Sequence, residues 1–199
     1  MLAVIDYGVG NLFSVEKAFA YLNIDVKVTS SEDDLKSAEQ IVLPGVGAFG
    51  DCMKNLHATG LIPTIKEEIS NGKKFLGICV GLQILFESSE ESPNVDGLKI
   101  FRGSVRKINA DNLKIPHMGW NSIETRDEKI FRGLKNPYVY FVHSYHATPE
   151  DRSVVVATSE YGEEITAAVK RDNVTAVQFH PEKSGDVGQQ ILKNWIEVV

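Results

Sequence analysis

The chain has no block of lysine or arginine: its 21 basic residues are scattered among 27 acidic ones, for a formal net charge of −6. That balance argues against a surface for nucleic acid or anionic membranes. Cysteine is equally scarce. Cys52 and Cys79 alone are too few for a disulfide scaffold and suit a reducing compartment. No apolar run approaches membrane-spanning length. Met1 to Gly10 carries an aspartate and two glycines where an export signal would have a basic and then an apolar region, so a cytoplasmic location is expected. Repeats, low-complexity tracts and linkers are also missing, and the 199 residues read as a single domain over 1–199.

What is present in the first half is alternation. "LAVID" (2–6), "DVKVT" (25–29), "QIVLP" (40–44) and "KFLGI" (74–78) have the apolar density of buried strands. Helical spacing separates them over 12–22, 50–57 and 61–70, the first behind Asn11 as N-cap. This order predicts an α/β fold with a parallel sheet flanked by helices. After about residue 97 the pattern becomes strand after strand: "KIFRGSVRKI", "NSIET", "YVYFVHSYHA", "SVVVATS", "EITAAVK" and "VTAVQF". A closing helix, "QQILKNWIEV", ends the pattern. One mixed sheet, parallel first and antiparallel later, is expected.

The chemistry concentrates around Cys79. "GICVGLQILFE" (77–87) puts glycines two before and two after the cysteine at a strand-to-helix junction. A nucleophile elbow needs that pattern, because its turn leaves no room for neighbouring side chains and forces the nucleophile into a strained conformation. Amides at the start of the following helix favour thiolate and can hydrogen-bond an oxyanion. Cys52, between Asp51 and Met53, lacks that setting and reads as structural.

A nucleophilic cysteine needs a base, and five histidines compete for the role. His180 ends the apolar strand "VTAVQF", Pro181 stops that strand, and Glu182 lies two positions on, close enough to orient the ring. "GVGAFG" (45–50) matches the glycine pattern of a dinucleotide site, but lies after the third strand; its other use is to offer backbone N–H groups to an oxyanion near Cys79. His143 and His146, three apart on one strand, would point to opposite faces, so no metal site is expected. "ESSEES" (87–92) reads as a solvated acidic turn ending the elbow helix. "HMGWN" (117–121) leaves a tryptophan beside a glycine in a connecting segment, facing either the core or a partner.

Taken together and in order, "PGVGAFG" (44–50), "GICVGLQILFE" (77–87) and "HPE" (180–182) resemble the class I glutamine amidotransferases, which release ammonia from glutamine with a Cys-His-Glu triad. "DYGVGNL", "PHMGWN", "YFVHSYHA" and "FHPEKSG" extend the resemblance over essentially the whole chain, toward the branch formed by glutaminase subunits of imidazole glycerol phosphate synthases. The resemblance implies Cys79 as nucleophile, His180 as general acid/base and Glu182 as its orienting partner. It implies an oxyanion hole from the Val80 amide and, after a peptide rearrangement, the strand holding Val46 and Gly47. Gln83, Glu91 and the segment His143, Ser144, Tyr145 match positions that hold the amino-acid end of glutamine. Asn11, Trp120 and Lys183 match positions near the face that meets the synthase subunit. No cofactor is implied; the implied partner is a (β/α)8-barrel cyclase in a heterodimer. A different class I glutaminase, a non-catalytic binding module with the same fold and a nucleotide-binding enzyme built on "GVGAFG" are the rival readings.

Overall fold

A computed structural model describes residues 1–126 and 129–197. The alternating first half forms β1 (Leu2–Ile5), α1 (Leu12–Tyr21), β2 (Val26–Thr29), α2 (Glu32–Ser37), β3 (Gln40–Gly45), α3 (Phe49–Thr59), α4 (Ile62–Ser70) and β4 (Lys74–Cys79). Only the short α2 was not anticipated; its single buried residue, Leu35, gives it no helical periodicity to read. The Asn11 side chain accepts the Ser14 N–H at the start of α1, and Gly60 closes α3 in the left-handed region.

One turn of helix, α5 (Val80–Gln83), follows β4; then come β5 (Ser88–Ser89), β6 (Gly103–Lys107), β7 (His117–Ser122), β8 (Glu124–Thr125), β9 (Tyr138–His143) and β10 (Tyr145–Pro149). The chain ends through β11 (Val155–Glu160), β12 (Glu164–Arg171), β13 (Val174–Val177) and α6 (Gly185–Glu197). The expected closing helix thus starts earlier than "QQIL", and the last residue assigned to it, Val198, lies outside the described residues.

The main sheet runs β2-β1-β3-β4-β13-β12-β11-β8. Its members from β2 to β13 are parallel, and β12, β11 and β8 continue it antiparallel, as the change of pattern predicts. The strands β1 and β13 are buried along their whole length, which is why they read as unbroken apolar runs. The flanking helices α1 and α6 meet edge to face through Phe19 and Trp195, ring centroids 6.0 Å apart.

The second half departs from the single sheet expected. β10, β6 and β5 form a separate three-stranded sheet, and among the described residues β7 pairs only with β9 in a two-stranded ribbon. "YVYFVHSYHA" breaks at Ser144, so His143 and His146 sit in different sheets and the opposite-face argument does not apply to them. "HMGWN" is no connecting segment either; it is most of β7.

Candidate active site

Three neighbouring strands build the site. β3 pairs with β4 so that Gly45 stands opposite Cys79, and β13 pairs with β4 up to Val177 and Ile78. The chain beyond each strand therefore brings Val46 and Gly47, Cys79, and His180 to one carboxyl edge of the parallel sheet, where such sheets place their sites.

At the centre, Cys79 has φ 58° and ψ −113°, a left-handed conformation that costs about 1–3 kcal/mol for a non-glycine residue. The flanking glycines make it possible. A Cβ on Gly81 would lie 1.9 Å from the Leu43 carbonyl oxygen, and one on Gly77 would lie 2.7 Å from that of Gly81. The spacing read as an elbow is thus a packing requirement. The helix behind it differs from expectation: α5 is one turn long, so it supplies first-turn amides but little macrodipole.

His180 is almost fully buried, its backbone N–H donating to the Tyr140 carbonyl and its carbonyl accepting from the Ser184 hydroxyl. Nδ1 lies 2.7 Å from Oε1 of Glu182, whose side chain is also only 2% exposed. Among the described residues Nε2 has no hydrogen-bond partner, so it is the ring nitrogen available for proton transfer. Burial opposes the imidazolium, but the Cys79 sulfur and the Glu182 carboxylate outweigh it and raise the His180 pKa to about 10.

A cavity of about 250 Å³ is lined by Cys79 and His180. Val46, Gly47 and Val80 share its wall, as do Gln83, Glu91, His143, Ser144 and Tyr145, so the residues expected to stabilise an oxyanion and to hold glutamine are brought together. Lys183 lines it as well, while its ammonium sits 5.9 Å from the Tyr140 ring centroid. Trp120 stands outside the cavity, 56% exposed, with its ring 6.3 Å from Tyr140 on the β7–β9 ribbon. Asn11 is exposed at the N-cap of α1, a helix that packs against the 181–183 turn.

"ESSEES" is not the solvated turn expected. Ser89 is buried, Glu91 accepts the Phe49 N–H at 2.8 Å and Ser92 accepts the Gly50 N–H at 3.1 Å, so this segment caps the start of α3. The sequence reading also missed the groups behind the site. Tyr7 donates to the Pro44 carbonyl at 2.7 Å, and the Cys52 thiol donates to the Val46 carbonyl at 3.3 Å. Burial pushes the Cys52 pKa up to about 11, which keeps that thiol a donor. Gln178 lies between Gln83 and Cys79, its Nε2 3.8 Å from the sulfur. The one signal for it was a polar residue inside the apolar run "VTAVQF".

The elbow, the buried histidine-carboxylate pair and the parallel sheet have the arrangement expected of a triad-type enzyme, and the comparison with known proteins gives the class of the chain. The family model "Glutamine amidotransferase class-I" matches residues 3–198, and the chain belongs to that family. Solved structures agree in fold: a glutamine amidotransferase crystal structure superposes with a TM-score of 0.76 at 19% identity, covering 97% of this chain and 98% of that one. PurLQS from Thermotoga maritima does so with 0.76 at 20% identity, covering 98% and 96%.

Within the family the similarity is narrower. The chain is 50% identical to imidazole glycerol phosphate synthase subunit HisH of Caldanaerobacter subterraneus subsp. tengcongensis, over 100% of this chain and 98% of that protein. It is likewise 50% identical to the HisH of Methanothermobacter thermautotrophicus, over 100% and 99%.

Proposed function

We propose that residues 1–199 form one glutamine amidotransferase type 1 domain that hydrolyses glutamine to glutamate and ammonia through Cys79, His180 and Glu182. The observation that carries this is Cys79 in its left-handed turn, facing the same cavity as a histidine held by a buried carboxylate.

The Cys79 sulfur attacks the side-chain carbonyl carbon of glutamine as its thiolate, with His180 as imidazolium. The oxygen of the tetrahedral adduct is held by backbone N–H groups of Val80 and of the Val46–Gly47 strand. His180 gives its proton to the nitrogen, the C–N bond breaks, and ammonia leaves a glutamyl thioester on Cys79. Water, deprotonated by His180, then attacks the thioester; glutamate leaves and the thiolate-imidazolium pair is restored. Glu182 keeps the imidazole oriented and stabilises its charge throughout. Glu91 suits the substrate ammonium, while Gln83 and the 143–145 segment serve its remaining polar groups. The scheme calls for no cofactor.

Full-length similarity to HisH subunits supports a second part of the reading: the ammonia passes to a separate cyclase subunit, a (β/α)8 barrel, in a cytoplasmic heterodimer. There it completes imidazole glycerol phosphate and aminoimidazole carboxamide ribotide in histidine biosynthesis. No helix among the described residues is long and apolar enough to cross a membrane. Met118, Trp120 and Tyr138, all more than half exposed on one face of the β7–β9 ribbon, suit a partner surface, and Asn11 and Lys183 lie on elements beside the site.

The test is glutamate release from glutamine by wild type and Cys79→Ala, with and without a purified cyclase subunit and its nucleotide ligand. Ligand-stimulated release that vanishes in the variant is the expected result. Release that persists in Cys79→Ala would overturn the assignment.

A further inference from the structure

His117 and His143 are buried and touch each other, yet the reaction has no use for His117. Their proton positions follow from Asn121. Its Oδ1 accepts the Ser122 N–H at 2.8 Å and its Nδ2 donates to the Glu160 carbonyl at 2.9 Å, which settles the amide's orientation. The other hydrogen on Nδ2 then points at His117 Nε2, 3.2 Å away, so that nitrogen is bare. The His117 proton must sit on Nδ1, donating at 3.0 Å to His143 Nε2. His143 in turn carries its proton on Nδ1 and donates at 2.9 Å to the Tyr145 carbonyl. That carbonyl accepts a second bond, from Gln83 at 2.9 Å.

The neighbouring carbonyl is engaged too, since Ser144 accepts the Ile108 N–H at 3.0 Å. A carbonyl turned toward the substrate carboxylate would repel it, and here both are committed to partners within the fold. The His117 ring is itself held between Phe141 and Tyr161, with centroids 4.6 and 4.0 Å away.

We propose that His117 and Asn121 are positioning residues for glutamine: by dictating the tautomer of His143 they hold the 143–145 wall with its carbonyls turned to the fold. This rests on the glutaminase reading above and adds to it a group that never touches substrate.

The experiment compares wild type, His117→Phe and His117→Asn in complex with the cyclase subunit. Phenylalanine keeps the stacking and removes both nitrogens; asparagine keeps a donor within reach of His143. His117→Phe should raise the glutamine KM about tenfold or more while lowering kcat less than about threefold, and His117→Asn should return KM to within about threefold of wild type. Nitrogen-15 spectra of the histidines should show His143 protonated on Nδ1 in wild type and in His117→Asn, and as mixed tautomers in His117→Phe. An unchanged KM and tautomer in a folded His117→Phe would overturn the proposal, and so would an equal fall of kcat and kcat/KM in both variants. Failure of the underlying reading is seen elsewhere, as a wild-type complex that does not hydrolyse glutamine.

Discussion

At the scale of single residues, the site is an arrangement of backbone constraints before it is an arrangement of reactive groups. Cys79 keeps its left-handed turn because Gly77 and Gly81 leave room for it, so a methyl group at 81 collides with the Leu43 carbonyl. Gly81→Ala is therefore expected to cost about 1–3 kcal/mol, read as a lower denaturant midpoint, with glutaminase activity falling as the elbow shifts. Glu182→Gln should lower kcat about a thousandfold or more, because the imidazolium loses its orienting charge, and should flatten the loss of stability expected as pH rises from 6.5 toward 10. Unfolding midpoints followed against pH separate this outcome from that of Gly81→Ala. Much at this scale was legible, since the G-x-C-x-G spacing and the His-Pro-Glu stop each follow from local chain geometry. Gln178, Tyr7 and the His117 proton were not. Their significance comes from partners distant in sequence, and a polar residue in an apolar strand does not say which atom it will meet.

At the scale of elements, β7 is inside out, although its partner β9 buries Val139 and Phe141 in the ordinary way. Along β7, His117 turns to its buried partner His143 and Asn121, on the same face, to the Glu160 carbonyl, while Met118 and Trp120 are left in solvent. A reading that sends apolar residues inward therefore loses this strand, which is why "HMGWN" passed for a connection. Buried imidazoles in such a ribbon make stability depend on pH. Burial lowers the pKa of His117 to about 4 and that of His143 to about 3, against 6.5 for the ordinary side chain. As pH falls from 6.5 toward 4, the unfolded chain takes up protons that the native chain refuses, so stability falls with pH over that window and is unaffected above it. Urea unfolding between pH 7 and pH 4 should show this decline, and His117→Phe should make it shallower. His180 acts in the opposite sense: its pKa is raised to about 10, so its contribution is complete below 6.5 and lost as pH rises through 10.

At the scale of the whole molecule, the cavity and the ribbon share β9: His143 lines the cavity from one face of that strand and Val142 from the other, the outer face that also carries Tyr140 and Tyr138. A partner seated on that face would press on the same strand that shapes the proposed glutamine pocket. Trp120→Ala is accordingly expected to weaken binding of the cyclase subunit about tenfold or more, measured by titration calorimetry, without lowering the unfolding midpoint of the free chain.

The strand order has a further consequence, for chain growth. β13 is made last among the strands yet lies between β4 and β12, in the interior of the sheet. Until it arrives, those two strands have nothing between them, and Cys79 waits for partners 99 and more positions away. An emerging chain consequently holds Cys79 long before the groups that would let it act as the proposed nucleophile, and glutamine would be safe from half-made copies.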